Sequence, residues 1–341
     1  MSPSACILGC SGPTLTRDER RFFSDVRPWG FILFARNIET PDQVRALVAE
    51  LRGTVGRADA PILIDQEGGR VQRLGPPHWG RYPPGLAYGQ LRGNDPLLKR
   101  EITRLGARLM AHDLVALGIN VDCVPVLDVP DPAGHEVIGD RAYGTTPDEV
   151  ALLGRATAEG LIAGGVLPVI KHIPGHGRAT CDSHHELPVV EADWEALDHH
   201  DFAPFKALSD MPMAMTAHVI YASIDAKRPA TTSAKVLRKV IRGAIGFEGL
   251  VMSDDLSMQA LNGDLRQRAE ASQKAGCDVV LHGNGDMAEM KAVVSGTSSL
   301  QGRAGRRAHA ALARLAKVPE PFDAVAGRRR FDAAFDGKFA A

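Results

Sequence analysis

The chain contains eight short apolar runs, which alternate with amphipathic segments of helical spacing. These runs lie at residues 5–11, 30–35, 61–66, 119–129, 166–172, 213–219, 250–255 and 278–283. Most of them are continuously hydrophobic, which is the pattern of parallel strands that are covered on both faces. Eight such strands alternating with helices predict an α/β fold, a single-domain (β/α)8 barrel of the TIM type.

Local signals mark where the predicted helices begin and end. Thr40, Asp95 and Thr146 each stand directly before a proline, as an N-cap residue does when proline occupies the first helical position. Gly118 and Gly165 lie where the helices should stop. A doubly wound open sheet is the alternative architecture. It is disfavoured because no G-x-G-x-x-G motif follows the first strand and the chain has no P-loop.

The domain organisation predicted from these patterns is simple. Residues 1–318 form the catalytic barrel, and residues 319–341 form a C-terminal tail that is packed on the barrel or partly loose. Nothing in the tail predicts a second domain.

Composition excludes several classes of function. The formal net charge of −1 offers no basic field for nucleic acid or anionic lipid, and no apolar stretch reaches the roughly 18–20 residues of a membrane span. Five scattered cysteines without a CxxC pair argue against a disulfide framework and favour a reducing compartment. Ile-Leu-Gly-Cys10 resembles a lipoprotein processing site but lacks a positive n-region and an apolar h-region. We therefore expect a cytoplasmic protein with no nucleic-acid or membrane partner.

Polar side chains end six of the apolar runs, all at the same end. They are Asp65, Asp128, Lys171 with His172, His218, Asp254 with Asp255, and His282. In a (β/α)8 barrel the carboxyl ends of the strands form the rim on which active sites are assembled. The pattern therefore predicts a catalytic rim.

The segment KHIPGHGRATCDSHHELP at residues 171–188 contains four of the twelve histidines of the chain. The spacing of His172 and His176 would suit two zinc ligands on one face of a helix. Pro174 and Gly175 lie between them, however, and a helix interior does not tolerate that pair. No strand end carries the H-x-H of metal-dependent barrel hydrolases. We therefore expect neither a metal nor another cofactor.

The same segment is better explained as a tight loop. Pro174, Gly175 and Gly177 turn the chain sharply away from the strand, so that a later part of the loop can cover the barrel mouth. Asp182 stands two residues before His184, close enough for a carboxylate to orient an imidazole that acts as general acid and base. A loop cap at His184 and an Asx turn at Asp182 remain an equally good interpretation of these residues alone.

The Ser-Asp-Asp sequence at residues 253–255 supplies a second candidate group. A carboxylate at the end of a buried strand and among cations stays ionised, and it can act as nucleophile or electrostatic stabiliser. The alternative is that an aspartate here only caps the helix near Leu256. We assign the nucleophile to Asp254 as the strand end and a cap or supporting hydrogen bond to Asp255. Strand reasoning leaves this choice open by one residue.

Taken together, these segments resemble the β-N-acetylglucosaminidases of glycoside hydrolase family 3. Residues 171–188 are similar to the family signature K-H-[FIY]-P-G-H-G…D-S-H…P. Five further blocks resemble the family in its order, within residues 25–290: GFILFARNIETPDQV, LIDQEGGRVQRL, GINVDCVPVLDV, IGDRAYG and VMSDDLSMQAL. His282 and Gly283 depart from the family pattern, which has a less polar strand end at that point.

The resemblance implies a site and a reaction. The nucleophile is Asp254, the acid/base is His184 and Asp182 orients it; the sugar-binding residues are Asp65, Arg73, Arg141, Lys171 and His172. The implied reaction is retaining hydrolysis through a glycosyl-aspartate intermediate. Members with a bare barrel resemble cytoplasmic enzymes that remove GlcNAc from GlcNAc–1,6-anhydro-MurNAc and its peptides during cell-wall recycling. A metal-dependent barrel hydrolase and a non-catalytic sugar-binding protein on the same scaffold are the alternatives.

Overall fold

Eight parallel strands close into a barrel in the computed structural model of the chain, which describes residues 2–92, 95–183, 186–316 and 318–339. We number them β1 to β8 in chain order: Ser4–Leu8, Pro28–Leu33, Ile62–Ile64, Val121–Asp122, Leu167–Ile173, Met213–Thr216, Leu250–Asp255 and Val279–His282. Neighbours along the chain pair with each other, and β8 pairs with β1 to complete the circle. Each predicted apolar run contributes one strand, so the predicted (β/α)8 barrel is confirmed.

Helices surround the barrel. The α-helices are α1 Arg17–Val26, α2 Pro41–Val55, α3 Gly85–Gly89, α4 Pro96–Ala116, α5 Pro147–Ala163, α6 Trp194–Ala196, α7 Ala203–Ala207, α8 Leu265–Ala275, α9 Met287–Ser295, α10 Gly302–Leu312 and α11 Ala324–Ala334. Leu197–Asp201 and Val236–Ala244 are π-helical, and short 3-10 turns occupy Ala35–Asn37, Gly139–Arg141, Ala230–Thr232 and Ala313–Ala316. Two small accessory sheets pair Gln66–Gly68 with Val71–Gln72 and Val189–Val190 with Ile220–Tyr221.

The predicted helix signals act as expected. The side chains of Thr40, Asp95 and Thr146 each accept a hydrogen bond from a backbone N–H in the first turn of α2, α4 and α5. Gly118 and Gly165 follow the ends of α4 and α5 with φ angles of 81° and 84°, a left-handed conformation that glycine adopts without steric cost. Local capping chemistry therefore places these helices.

Alternating residues of the strands fill the inside of the barrel. The buried interior cluster includes Ile7, Ile32, Leu63, Val169, Met213, Met252 and Leu281. Leu300 and Ala308 belong to the same cluster, and the N–H of Leu300 donates to the carbonyl of Pro3, just before β1. The segment around α10 thus closes the amino-terminal end of the barrel, and only the carboxyl-terminal end is left for a site.

The C-terminal helix α11 packs through aromatic side chains against α3 and the segment that precedes it. Phe331 is fully buried, and its ring contacts the rings of Tyr82 and Tyr88. The N–H of Glu320 donates to the carbonyl of Ala163 at the end of α5. The division of the chain at residue 318 stays a prediction. No helix in the described ranges combines the length and the apolar character needed to cross a membrane.

Candidate active site

A pocket of about 360 Å3 opens at the carboxyl ends of the barrel strands. Six of the predicted site residues line it: Asp65, Arg73, Arg141, Lys171, His172 and Asp254. They come from segments that are up to 189 residues apart in sequence (Asp65 to Asp254, 254 − 65). The barrel therefore brings together side chains that were predicted separately, from the ends of separate apolar runs.

Asp254 is the candidate nucleophile, and its surroundings keep it ionised. Its Oδ1 atom accepts a hydrogen bond of 2.8 Å from the N–H of Asp255. Burial alone would raise the pKa of the Asp254 carboxyl, but the nearby imidazoles of His172 and His218 and this N–H hold the pKa below its ordinary value. A carboxylate that is charged and half-buried in a pocket can attack an electrophilic carbon.

Asp255, by contrast, uses its carboxylate to hold the backbone. Its Oδ1 atom accepts from the N–H and the hydroxyl of Ser257, both at 2.8 Å, and its Oδ2 atom accepts from the N–H of Gly283 at 2.9 Å. We predicted that the strand ends at Asp254, but it continues to Asp255. Asp255 belongs to the strand because it still pairs with Leu281 of β8, after a register shift that follows Met252.

Four charged side chains form an array that we call the charged floor: Asp65, Glu67, Arg141 and Lys171. The Nζ atom of Lys171 lies 2.9 Å from Oδ1 of Asp65 and 2.7 Å from Oε1 of Glu67. Arg141 makes two parallel bonds of 2.8 Å to the two Glu67 oxygens. Such a bidentate pair fixes both groups in one plane and leaves little freedom to either side chain.

Burial and charge act against each other within the charged floor. Burial alone would raise the pKa of Glu67, but the charges of Lys171 and Arg141 hold it well below its usual range. Burial alone would lower the pKa of Lys171, but Asp65 and Glu67 hold it well above its usual range. Glu67 and Lys171 therefore both carry full charges. Sequence reasoning missed Glu67, although it stands only two residues after Asp65 in the quoted block LIDQEGGRVQRL.

Phe34 lies between two guanidinium groups at one side of the pocket. The Arg73 group lies 5.5 Å and the Arg36 group 5.1 Å from the centre of its ring, within the range of cation–π attraction. The Nη2 atom of Arg73 is also 3.4 Å from Oδ2 of Asp65. Phe34 and Arg36 line the pocket but were not among the predicted site residues, because they follow β2 without a polar strand end.

His172 is oriented by a buried carboxylate. Its Nδ1 atom lies 2.6 Å from Oδ2 of Asp128, which is completely buried. Burial alone would raise the pKa of Asp128, but His172 keeps it below its ordinary value. The pair fixes the ring so that the edge carrying Nε2 is turned away from Asp128. Asp128 was predicted as a rim residue, and the structure places it behind His172 rather than in the wall of the pocket.

His176 connects the start of the loop to its far part. Its N–H donates to Oδ1 of Asp128 at 2.7 Å, and its Nε2 atom lies 3.1 Å from the hydroxyl of Ser183. Burial lowers the pKa of His176 to about 4, so the imidazole is neutral near pH 7. Residues 174–183 contain no helical turn of the kind that a zinc motif needs, which agrees with the prediction from Pro174 and Gly175.

Part of the predicted acid/base device lies outside the described residues. This applies to His184, the predicted acid/base, and to His185. Asp182 is half-buried, and its carbonyl accepts a hydrogen bond from the N–H of Glu186 at 3.0 Å. Ser183, the residue directly before His184, is buried and lines the pocket. The pairing of Asp182 with His184 stays a prediction.

Two further rim histidines support the pocket from behind. His218 is buried, with Nδ1 2.7 Å from the hydroxyl of Thr231 and Nε2 3.0 Å from the carbonyl of Asp255. His282 is also buried, with Nδ1 3.7 Å from a carboxylate oxygen of Asp255 and Nε2 3.4 Å from one of Glu289. These two imidazoles pack behind the strand that carries Asp254, so the rim supplies support as well as chemistry.

The histidine-rich segment does not form a metal-ligand set with its neighbours in the ranges described. The ring centres of His172 and His176 are 5.6 Å apart and their planes are inclined at 62°. The Nδ1 atom of His172 is directed to Asp128 and the Nε2 atom of His176 to Ser183. Within residues 2–92, 95–183, 186–316 and 318–339, no three His, Cys, Asp or Glu side chains are placed to hold a metal ion. One ring nitrogen of each of these two histidines is thus engaged in a hydrogen bond.

Comparison with known proteins agrees with this geometry. The N-terminal domain model of glycosyl hydrolase family 3 matches residues 13–318. The chain is 43% identical over 274 residues to a β-hexosaminidase of Methylococcus capsulatus, a match that covers 79% of this chain and 80% of that protein. A β-hexosaminidase of Alkalilimnicola ehrlichii is 40% identical over 279 residues, with coverage of 81% and 79%.

A solved structure shares the whole architecture. NagZ from Neisseria gonorrhoeae superposes with a TM-score of 0.85 at 30% identity, over 100% of this chain and 99% of that one. The same protein has been solved in complex with N-trifluoroacetyl-D-glucosamine and in complex with a zinc ion. The resemblance indicated by the sequence motifs is confirmed. The chain belongs to glycosyl hydrolase family 3 and is a β-N-acetylhexosaminidase of that family.

Proposed function

We propose that the protein is a retaining exo-β-N-acetylglucosaminidase that releases terminal GlcNAc from GlcNAc–1,6-anhydro-MurNAc and its peptides in cell-wall recycling. The observation that carries the proposal is the ionised Asp254 carboxylate, which lines a small pocket together with the charged floor. A charged nucleophile beside fixed hydrogen-bonding groups is the arrangement that glycosyl transfer to a carboxylate requires.

The charged floor supplies what a terminal sugar needs. Asp65 can accept hydrogen bonds from sugar hydroxyls, and Arg141, Lys171 and His172 can donate to hydroxyl or acetamido oxygens. The volume of about 360 Å3 lies near the lower limit of roughly 300–1,000 Å3 for ligand pockets. A pocket of this size suits one sugar ring at a chain end, which supports exo-acting cleavage.

The proposed reaction has two steps. In the first, the Asp254 carboxylate attacks the anomeric carbon, the bond to the leaving oxygen breaks, and His184 gives its proton to that oxygen. In the second, His184 takes a proton from water, the water oxygen attacks the anomeric carbon, and Asp254 is released with net retention. The acetamido group is not needed as a nucleophile because Asp254 provides one.

The acid/base role of His184 rests on its neighbours. Asp182 orients the imidazole, so that a histidine takes the place of the second carboxylate of most retaining glycosidases. Support comes from Ser183, which lines the pocket and is hydrogen-bonded to His176. The segment that leads to His184 is therefore present at the wall of the pocket.

A cytoplasmic substrate is supported by the cysteines. All five are free thiols, and all but Cys181 are buried. Free cysteines in this number are typical of a reducing compartment, where soluble muropeptide fragments would be the substrate. Among the relatives, the complex of NagZ with N-trifluoroacetyl-D-glucosamine supports a small molecule of the N-acetylglucosamine type as ligand.

Trapping of the covalent intermediate tests the proposal. The full-length protein is incubated with an activated 5-fluoro derivative of GlcNAc, and the adduct is located by intact-protein and peptide mass spectrometry. We expect one glycosyl group on Asp254, unchanged by EDTA, because the nucleophile needs no metal. An adduct on Asp255, or labelling that EDTA abolishes, would contradict the mechanism. Release of GlcNAc from GlcNAc–1,6-anhydro-muropeptide tests the substrate.

A further inference from the structure

The loop that follows β5 is fixed against its neighbours along its first part, residues 174–179. The carbonyl of Gly177 accepts from the N–H of Asp131 at 3.1 Å, and the carbonyl of Ala179 accepts from the N–H of His135 at 2.7 Å. A Cβ atom on Gly177 would lie 1.8 Å from the carbonyl oxygen of Val129, so only glycine fits this close approach. This part of the loop, which we call the stem, is therefore held by backbone contacts.

Arg178 adds a charged link between the stem and two other segments. Its Nη1 atom lies 2.7 Å from Oδ2 of Asp131, in the loop after β4, and its Nε atom lies 2.7 Å from Oδ2 of Asp201, at the end of the π-helical turn. The side chain of Asp201 is only 1% exposed. A buried carboxylate needs a charged partner, so Asp201 holds the guanidinium firmly.

The described part of the loop beyond the stem returns to the pocket within a few residues. Asp182 is four residues after Arg178, and Ser183 lines the pocket with its hydroxyl 3.1 Å from Nε2 of His176. The segment from Ala179 to Ser183 is thus fixed at one end by the links of Arg178 and at the other by His176. A shift of the stem moves this segment relative to the sugar.

We propose that Arg178 is a positioning residue for the hydrolysis, because its bridge between Asp131 and Asp201 sets where residues 179–183 stand beside the sugar pocket. The inference rests on the proposed function, in which the group that transfers the proton is attached to this segment. Misplacement of a catalytic group by about 1 Å can cost on the order of a hundredfold in rate. Loss of the bridge should therefore slow the steps that need proton transfer.

Two substitutions separate positioning from folding. Asp131→Asn removes one charge of the bridge but keeps the Oδ1 atom that accepts from the N–H of Ala133 at 2.9 Å, and it leaves the pair with Asp201 intact. Arg178→Ala removes both links and leaves Asp201 buried without its cation, which costs more stability. If Arg178→Ala does not fold, Asp131→Asn still tests the inference.

The experiment compares kcat/KM for two β-GlcNAc glycosides, a 2,4-dinitrophenyl glycoside and a methyl glycoside, since kcat/KM reports the glycosylation step. The dinitrophenolate leaves without help from an acid, whereas the methoxide must be protonated. We expect Arg178→Ala to lower kcat/KM on the methyl glycoside by about thirtyfold and Asp131→Asn by about threefold. On the dinitrophenyl glycoside both should stay within about twofold of the parent.

Arg155→Ala is the matched control, because Arg155 makes two bonds of 3.1 and 2.6 Å to Asp210 on the surface and does not touch the loop. It should leave both kcat/KM values unchanged. Equal losses on the two glycosides, or no loss, would overturn the inference. His184→Ala is measured in parallel: if it lacks the leaving-group dependence, the proposed acid fails. If it shows the dependence and Arg178→Ala does not, only the positioning role fails.

Discussion

The floor of the pocket and the loop beside it fix their functional groups by different means. Lys171 lies in β5 and Glu67 in the accessory strand Gln66–Gly68, and both are buried in ion pairs of 2.7 to 2.9 Å with their neighbours. Ser183 stands on a loop and is placed by one hydrogen bond to His176 and by the links of the stem. In the proposed mechanism, rigid strands thus carry the groups that hold the sugar, while the loop carries the group that exchanges a proton.

This difference has a physical reason. Binding groups work best when they are already oriented, because reorganisation on binding costs free energy. A general acid that later acts as base must meet first the leaving group and then a water molecule, so its segment has to admit both. Substitutions of strand residues should therefore lower the rate on every substrate. Substitutions of loop residues should lower it mainly on substrates whose leaving group needs a proton.

The largest expected effect is at the strand end. Asp254→Ala removes the proposed nucleophile, so kcat should fall by at least about 10^4-fold on activated and unactivated glycosides alike. Asp255→Asn is the comparison, because it keeps Oδ1 for Ser257 and perturbs only the backbone turn. Initial rates with p-nitrophenyl β-GlcNAc measure both. A larger loss in Asp255→Asn than in Asp254→Ala would reverse the two assignments.

An intermediate effect on kcat/KM is expected from a substitution in the loop. His184→Ala should lower kcat/KM on a substrate with a sugar leaving group by about 10^2–10^4-fold and on a 2,4-dinitrophenyl glycoside much less, because a good leaving group needs no proton. Steady-state kinetics with both substrates measure the ratio. Equal losses on the two substrates would show that the loop does not carry the acid and would remove the contrast with the strand ends.

A smaller effect is expected on stability at the charged floor. Glu67→Gln leaves Lys171 and Arg141 without one of their carboxylates, and it should lower the free energy of unfolding by about 3 kcal/mol near pH 7. Arg155→Ala, which breaks a surface pair, should cost about 1 kcal/mol or less. Urea unfolding measures the free energy of unfolding of both variants. Equal losses in the two would mean that the buried ion pairs of the charged floor stabilise the fold no more than a surface pair does.

The loss of unfolding free energy in Glu67→Gln should depend on pH, and the pKa of Glu67 determines in which direction. The pKa of Glu67 is lower in the folded chain than its ordinary value, so the unfolded chain binds the proton first as the pH falls. The stability that Glu67 contributes is therefore complete above about pH 5 and decreases below the ordinary carboxyl pKa of about 4.3. The difference between the parent and Glu67→Gln should shrink from pH 6 to pH 3. A difference that grows on acidification would contradict the ion-pair assignment.

The barrel was predictable because its signals are local. Continuous apolar runs report strands that are buried on both faces, and Thr40, Asp95 and Thr146 cap helices within a few residues. The rim residues followed from the same runs, since strand ends of a parallel barrel meet on one side. The sequence therefore indicated which end of the barrel carries the site.

Pairings across the barrel were not predictable in this way. Glu67 and Arg141 are 74 residues apart, and nothing local in either segment indicates that they meet. Arg178 and Asp201 are joined through a π-helical turn that no periodicity predicted. The sugar-binding roles were inferred from family motifs, whereas the contacts that hold these side chains depend on the closed barrel.

The charged floor has one more consequence. Two carboxylates and two cations meet there, so the array is neutral as a whole before any ligand arrives. A neutral sugar that binds to it displaces no excess of counterions, and its affinity should hardly respond to ionic strength. The charged floor can thus offer strong, oriented dipoles to a polar but uncharged ligand without a net charge that would attract anionic ligands.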